Sequence, residues 1–405
     1  MDTSSRRSTL TVTLCFIVAL IEGLDLQSAG IAAAGIREAF GLDQKMMGWM
    51  FSASIIGLLP GAFFGGWLAD RIGRKRVLIG AVVVFGIFSL WTAYVDSVSS
   101  LLLARFMTGL GLGAALPNLI ALCAEAVEER RRGTAISIMY CGVPLGGAIA
   151  AVVAMIGNET WQTVFIVGGV APLVVAPLLM VLLPESRDFN MQHRAADAPA
   201  RESTFKALFG DGRGTATAAL WISYFFTLTV MYMLLNWLPS LLLAQGFSKP
   251  QAGSIQMLFN IGGAIGSLLG GVMLDRANRT AVVLLSYGGL LAALAGLGLV
   301  SGMPAMAAAG FAAGLFMVAA QLVLYALAPP VYPVSVRATG VGAAVAIGRI
   351  GSVTGPLAAG QILAAGAGSA GVLLAASPGL VIAAFVVLGM SRRRAVDAAV
   401  PSTSP

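Results

Sequence analysis

Gly66-Trp67-Leu68-Ala69-Asp70-Arg71-Ile72-Gly73-Arg74-Lys75-Arg76 packs four cations and one acid into a short run between two long apolar stretches, 46–69 before it and 77–95 after it. Each stretch has the length of a helix that crosses a hydrocarbon core, about 20 residues. Inside lipid a backbone must satisfy its own hydrogen bonds, so such a stretch is a helix and the charged run is a loop at the membrane surface.

The same alternation continues in both directions. Apolar stretches lie near 10–34, 46–69, 77–95, 100–124, 134–157, 161–183, 216–240, 250–273, 281–300, 304–327, 338–365 and 371–390, which predicts twelve membrane helices. They are too long and too evenly apolar for barrel strands. The composition agrees: 58% of the 405 residues are hydrophobic and 11% charged, against roughly a quarter charged in soluble proteins. Fifty glycines suit close helix approach in lipid. Leu10 to Ile21 has the look of a signal-peptide core, but the apolar run continues to Ala34 without a cleavage signal and is read as the first helix. Cys15, Cys123 and Cys141 fall in or at the ends of spans and indicate no disulfide framework.

Net charge is +7, and its distribution explains it without nucleic acid. Of 25 Lys and Arg, 20 lie on alternate connections and the two tails, including Arg6, the Arg71–Arg76 group, Arg130 to Arg132, Arg187, Arg213, Arg276, Arg279, Arg337 and Arg392 to Arg394. Only Arg37, Lys45 and Lys249 lie on the opposite side. The positive-inside rule therefore puts both termini in the cytoplasm, consistent with an even number of spans.

An internal repeat organises these spans. An offset of 205 residues pairs Gly41 with Gly246, Gly57 with Gly262, Gly61 with Gly266, Gly65 with Gly270 and Gly66 with Gly271. It also pairs Asp70 with Asp275, Arg71 with Arg276 and Arg74 with Arg279. The expected organisation is a six-helix bundle over 1–183, a polar cytoplasmic linker over 184–215, a second bundle over 216–390 and a cytoplasmic tail over 391–405. Two such halves in the same orientation are a transporter architecture, enclosing a central cavity that rocking opens to either side.

The Gly66 to Arg76 run resembles the loop signature of the major facilitator superfamily: a glycine, then Asp-Arg, Gly and a basic pair. The second copy is weaker, with Ala277 and Asn278 in place of Ile-Gly. Physically, Gly66 is expected to permit close helix contact, and Asp70 to pair with arginine or a helix N-terminus. The likeness narrows to the aromatic acid:proton symporters through Glu22-Gly23-Leu24-Asp25, Arg105 to Asn118, Glu125 with Arg130 to Arg132, Cys141-Gly142-Val143-Pro144, and Tyr325 through Arg337 to Arg349. It is greatest to the branch for 3-(3-hydroxyphenyl)propionate. One departure is glutamate at position 22, where many relatives have aspartate. The resemblance implies an all-α major facilitator fold in the inner membrane and uptake of an aromatic carboxylate by a monomer, with protons as the coupling ion and no cofactor or metal.

Glu22 and Asp25 are the acids deep inside a predicted span, and at i and i+3 they share one face. A charge at the bilayer centre costs at least about 2.5 kcal/mol, so such acids face a cavity and serve ion or proton pathways, or they make a structural contact with an arginine. Arg105 and Arg349 are the intramembrane cations, each suited to a carboxylate of a substrate or of Glu22 and Asp25. In the resembling superfamily the corresponding arginine of the fourth helix serves proton coupling, which implies that role for Arg105 and leaves anion binding to Arg349. Asn118, Tyr140, Tyr232, Asn236, Gln321 and Tyr325 could supply the aromatic and polar walls of an anion site, although most membrane aromatics pack or anchor at interfaces.

Gating is expected from Gly66, Asp70, Arg71, Gly73 and Arg74, from their second copies Asp275 and Arg276, and from Glu185 and Arg187. Glu125, shortly before Arg130 to Arg132, is expected to form a structural ion pair at the gate, with substrate contact as its alternative, and Arg132 belongs to the same gating set. Arg337, at a helix start, has a topological role as its alternative. No H-E-x-x-H, G-x-S-x-G or phosphate loop occurs, and His193 has no catalytic partner in the linker, so an intramembrane enzyme is the remote rival. A proton-coupled exporter of small organic compounds is the nearer one. Two buried arginines favour uptake of an anion.

Overall fold

The computed structural model describes residues 3–156, 160–185, 208–210, 212–276, 278–333 and 336–399. Twelve helices are long and apolar enough to cross a membrane, and no strand occurs among the described residues. They are α1 (Thr3–Ile31), α2 (Gln44–Ile72), α3 (Arg74–Thr92), α4 (Val98–Ala126), α5 (Arg132–Ile156), α6 (Gln162–Leu182), α7 (Gly214–Ala244), α8 (Lys249–Arg276), α9 (Arg279–Leu299), α10 (Met303–Leu327), α11 (Arg337–Ala364) and α12 (Gly368–Ala399). Arg187 and His193 lie outside the described residues, as do the side chains of Asp275 and Arg276.

Local chemistry sets several helix ends. Asp43 caps α2 by accepting from the Met46 backbone N–H at 2.7 Å, Ser97 and Ser100 form a capping box at α4, and Asn278 caps α9 through Thr280. The first span differs from the expected 10–34. It begins at Thr3 and stops at Ile31, where Ala32 turns the chain into a short helix, Ala33–Phe40, ended by Gly41 at φ 62°. Only a residue at ease with positive φ stops a helix this way. The last span, Gly368–Ser391, agrees with the expected 371–390, and its helix continues to Ala399.

Within the first six helices α2 packs on α4, α1 on α5, and α3 on α4 and α6. The pattern repeats with α8 on α10, α7 on α11, and α9 on α10 and α12. The 205-residue offset holds down to individual contacts. A Cβ at Gly57 would overlap the Phe106 carbonyl, and one at Gly262 the carbonyl of Phe311. Gly61 and Leu110 match Gly266 and Leu315, Gly109 and Ser54 match Gly314 and Phe259, and Gly146 and Leu20 match Gly351 and Phe225. In both halves backbone meets backbone where a side chain would intervene.

Gly66 contradicts its expected role: a Cβ there would meet nothing within 4 Å, whereas one at Gly65 would lie 2.6 Å from Ala114. Contact is made one residue earlier because Gly65 faces α4. Gly109→Ala is therefore expected to lower thermal stability by an overpacking cost of about 1–3 kcal/mol. Gly66→Ala should leave the unfolding temperature of the purified protein unchanged or slightly raised.

The two bundles meet through α5 with α8, α2 with α11, and α1 with α7. The named contacts lie at the end away from the termini. Trp237 donates to the Pro356 carbonyl at 3.0 Å and stacks edge-on to Phe51, Ser52 donates to the Val353 carbonyl at 2.9 Å, and Gly48 and Gly360 bring α2 against α11. Outward-facing apolar side chains such as Phe63, Val181, Leu299 and Phe385 are exposed, as lipid requires of a membrane protein's perimeter.

Candidate functional site

Glu22 and Asp25 leave the same helix yet go to different neighbourhoods. Asp25 is fully buried inside the first bundle, where it accepts a hydrogen bond from Ser89 Oγ of α3. Arg105 of α4 reaches it through Nη1, 3.4 Å from Oδ2, and contacts its carbonyl through Nη2 at 3.5 Å. The guanidinium lies 5.3 Å from the Phe165 ring of α6. Four helices thus enclose one ion pair, and both of its members are screened from water.

Glu22 faces the other bundle. Arg349 of α11 lies within electrostatic reach of the Glu22 carboxyl and close to the phenol groups of Tyr140, Tyr232 and Tyr325. Its Nη1 donates to Tyr232 Oη at 2.6 Å, with the guanidinium 5.9 Å from that ring. Gln321 Nε2 lies 3.4 Å from Tyr140 Oη and 3.3 Å from Tyr325 Oη. Residues from α1, α5, α7, α10 and α11 therefore converge on one half-buried guanidinium. Two acceptors beside it, Glu22 Oε2 and Gln321 Oε1, are buried without a hydrogen-bond partner. Buried polar atoms of this kind are normally satisfied, so the cluster has capacity for a further polar group.

Two other residues expected at the site bond instead to their own helices. Asn118 donates to the Ala114 carbonyl and Asn236 to that of Tyr232, each at 2.8 Å. Asn236 sits where Gly30 lets α1 approach α7, so it belongs to the packing of the two bundles.

At the termini end the charges link elements within one bundle. Glu125 pairs with Arg74, the first residue of α3, and Arg132 is exposed at the start of α5. The ion pair expected of Glu125 thus forms with a neighbour in space, because α4 ends beside the start of α3. Glu185 accepts from the Lys75 backbone N–H at 2.9 Å, a carboxylate on the N-terminus of α3. Gly73, at φ 101°, makes room: a Cβ there would lie 2.5 Å from Glu185 Oε2. Arg71 stacks on Trp67 at 3.9 Å, while Asp70 and Arg337 are exposed.

Three residues that the sequence reading passed over form a buried bridge between the bundles. Gln27 Nε2 donates to Asn260 Oδ1 at 2.8 Å, and Gln27 Oε1 accepts from Asn260 Nδ2 at 2.8 Å and from Gln256 Nε2 at 2.9 Å. Three amides inside apolar spans, two of them at i and i+4, were the available signal.

Comparison with known proteins now bears on this arrangement. The family model described as Major Facilitator Superfamily matches residues 15–248 and 220–404. The chain belongs to the Major Facilitator Superfamily. Among curated relatives it is 54% identical to the 3-(3-hydroxy-phenyl)propionate transporter of Escherichia coli strain K12, over 97% of this chain and 96% of the other. It is 36% identical to the 4-hydroxybenzoate transporter PcaK of Pseudomonas putida, with 89% of this chain and 88% of that one covered. The superfamily fold is also seen in the inward-open xylose transporter XylE of E. coli, with a TM-score of 0.75, 17% identity and 94% of both chains covered. The protein is accordingly a multi-pass transporter of this superfamily and not an enzyme.

Proposed function

We propose that this protein imports a hydroxylated aromatic carboxylate, of which 3-(3-hydroxyphenyl)propionate is the representative, by proton symport across the inner membrane. The observation that carries the reading is the convergence of Glu22 from one bundle with Arg349 and its tyrosines. The high identity to a transporter named for that acid supports the substrate class.

In this mechanism the substrate carboxylate takes the fork of Arg349, while Tyr140, Tyr232 and Tyr325 flank its ring and Gln321 Oε1 accepts from its hydroxyl. Two carboxylates beside one guanidinium would leave net negative charge in a low-dielectric site. A proton on Glu22 removes that charge, so substrate and proton load together. The Asp25–Arg105 pair is the second proton-linked element: protonating Asp25 would release Arg105 and loosen the helices around α1. Neutral loading lowers the barrier to exchanging the open side, in the manner of two rocking bundles.

Contacts between bundles at the far end correspond to an inward-facing state if both termini are cytoplasmic, as the charge distribution supports. The Gly73, Arg74, Lys75, Glu125 and Glu185 group then forms the cytoplasmic frame of the first bundle, with Asp70, Arg71, Arg132, Arg187, Asp275, Arg276 and Arg337 available to hold the cytoplasmic face when it closes. The complete cluster within one chain supports a working monomer.

The test is uptake of labelled aromatic acids into proteoliposomes with and without an imposed pH gradient. Accumulation of 3-(3-hydroxyphenyl)propionate only with the gradient is expected. Glu22→Gln should lose uphill accumulation while retaining exchange of internal for external substrate. Saturable outward flux of cationic compounds, with none of the acids taken up, would replace this reading with the exporter.

A further inference from the structure

A second crevice lies between the bundles at the end away from the termini, distinct from the Arg349 cluster. It is a cavity of about 160 Å³ that opens on one side to solvent. Trp161, Val164, Leu243 and Met155 wall it, Lys249 stands at α8's first turn, and Gln256 lines it deeper along the same helix.

The amide bridge fixes which atom Gln256 presents. Asn260 Nδ2 donates to the Gln256 backbone carbonyl at 3.0 Å, which orients that amide and turns Oδ1 to Gln27 Nε2. Gln27 Oε1 must then face donors, and Gln256 Nε2 supplies one of them. Gly147 leaves the space that the Gln27 amide fills. Gln256 Oε1 remains, on a fully buried residue, with no hydrogen-bond partner. It can only accept, so the group that satisfies it is an O–H or N–H.

Lys249 and Gln256 are seven residues apart, two turns or about 10.5 Å along one helix stripe. Lys249 is exposed and Trp161 half-buried. The Trp161 ring is held against Phe40 and Phe165, and Gly35 admits it closely. A cation at the mouth, a fixed aromatic wall and a buried acceptor beyond define a ligand with an anionic end, a flat apolar body and a hydroxyl.

We propose that this crevice is an outer docking subsite for a hydroxylated aromatic carboxylate, with the carboxylate at Lys249 and the phenolic O–H donating to Gln256 Oε1. The proposal rests on the substrate class inferred above and adds a second place where that class binds. Gln27 lies five residues beyond Glu22 on α1, about 7.5 Å along the axis, so the amide bridge stands between this subsite and the central cluster.

The experiment uses purified full-length Met155→Cys protein, whose native cysteines are all buried, and follows the rate of labelling by a water-soluble maleimide. The probes are 3-(3-hydroxyphenyl)propionate and 3-phenylpropionate. The hydroxylated acid should slow labelling, and should still do so when Arg349→Gln removes the central contact. Gln256→Leu should raise its half-protecting concentration about fivefold, the effect of one hydrogen bond, without changing that of 3-phenylpropionate. Lys249→Gln should weaken protection by both acids. Gln256→Met provides the same comparison if the leucine variant is not monodisperse.

Absence of protection in a protein that transports the acid, loss of protection with Arg349→Gln, or an equal effect of Gln256→Leu on both acids would each overturn the subsite. Uptake by Met155→Cys proteoliposomes is read separately. Protection without uptake sustains the subsite and removes the proposed transport function.

Discussion

Arg349→Gln is expected to lower the kcat/KM for uptake of 3-(3-hydroxyphenyl)propionate by about 30-fold or more, measured as initial rates in proteoliposomes. Truncating one member of a buried, hydrogen-bonded charge pair costs about 2–5 kcal/mol, and each 1.4 kcal/mol is a factor of ten. Arg349 is the cation of the central cluster, and three tyrosines and Glu22 are arranged about it. Arg349→Lys should recover only part of the loss, because an ammonium keeps the charge but lacks the planar fork that holds a carboxylate at two points. Folding should survive either change, since Arg349 is half-buried and its hydrogen bond to Tyr232 is to a neutral hydroxyl. A lysine variant with the activity of the parent would place the substrate's anionic group elsewhere.

Asp25→Asn is expected to act first on stability. Arg105 is 1% exposed, and removing the charge of Asp25 leaves a guanidinium among Ser89, Phe165 and apolar helix faces without its counter-ion. Breaking a buried pair from one side costs about 3–5 kcal/mol, whereas removing both charges costs far less. The single variant should yield little monodisperse protein, with a clearly lowered unfolding temperature. Asp25→Asn combined with Arg105→Gln should restore the yield and remain unable to accumulate substrate. Equal unfolding temperatures for the parent and Asp25→Asn would show that the pair contributes nothing to holding α1, α3, α4 and α6 together.

The fold was readable because its causes are periodic. Apolar length gave the twelve helices, and the 205-residue repeat of Gly57, Gly61 and Gly65 in Gly262, Gly266 and Gly270 marks positions where two backbones touch in both halves. The charged residues of the interior break that repeat. Glu22 stands opposite Thr227, Asp25 opposite Val230, Arg105 opposite Gly310 and Arg349 opposite Pro144. What a duplicated scaffold needs is present twice, and what the site needs is present once.

The sequence could name these four residues but could not assign partners. A spacing of i and i+3 puts Glu22 and Asp25 on one face, yet that face straddles the boundary between the first bundle and the central space, so the two acids part. Glu125 pairs with Arg74, a partner distant in sequence, because proximity there depends on how α3 and α4 cross. Gln27, Gln256 and Asn260 went unread because an amide carries no formal charge and gives a weak signal among apolar neighbours. Burial is what makes their hydrogen bonds matter, and burial between two bundles is visible only after folding.

The most direct measurement of the central claim is substrate-driven proton movement. Proteoliposomes with a trapped pH-sensitive dye and no imposed gradient are given 3-(3-hydroxyphenyl)propionate outside. The parent should acidify the lumen in step with uptake, and Glu22→Gln should exchange labelled substrate without any pH change. Uptake by the parent with a constant internal pH, or unchanged acidification by Glu22→Gln, would contradict the joint loading of anion and proton at the Glu22 and Arg349 cluster.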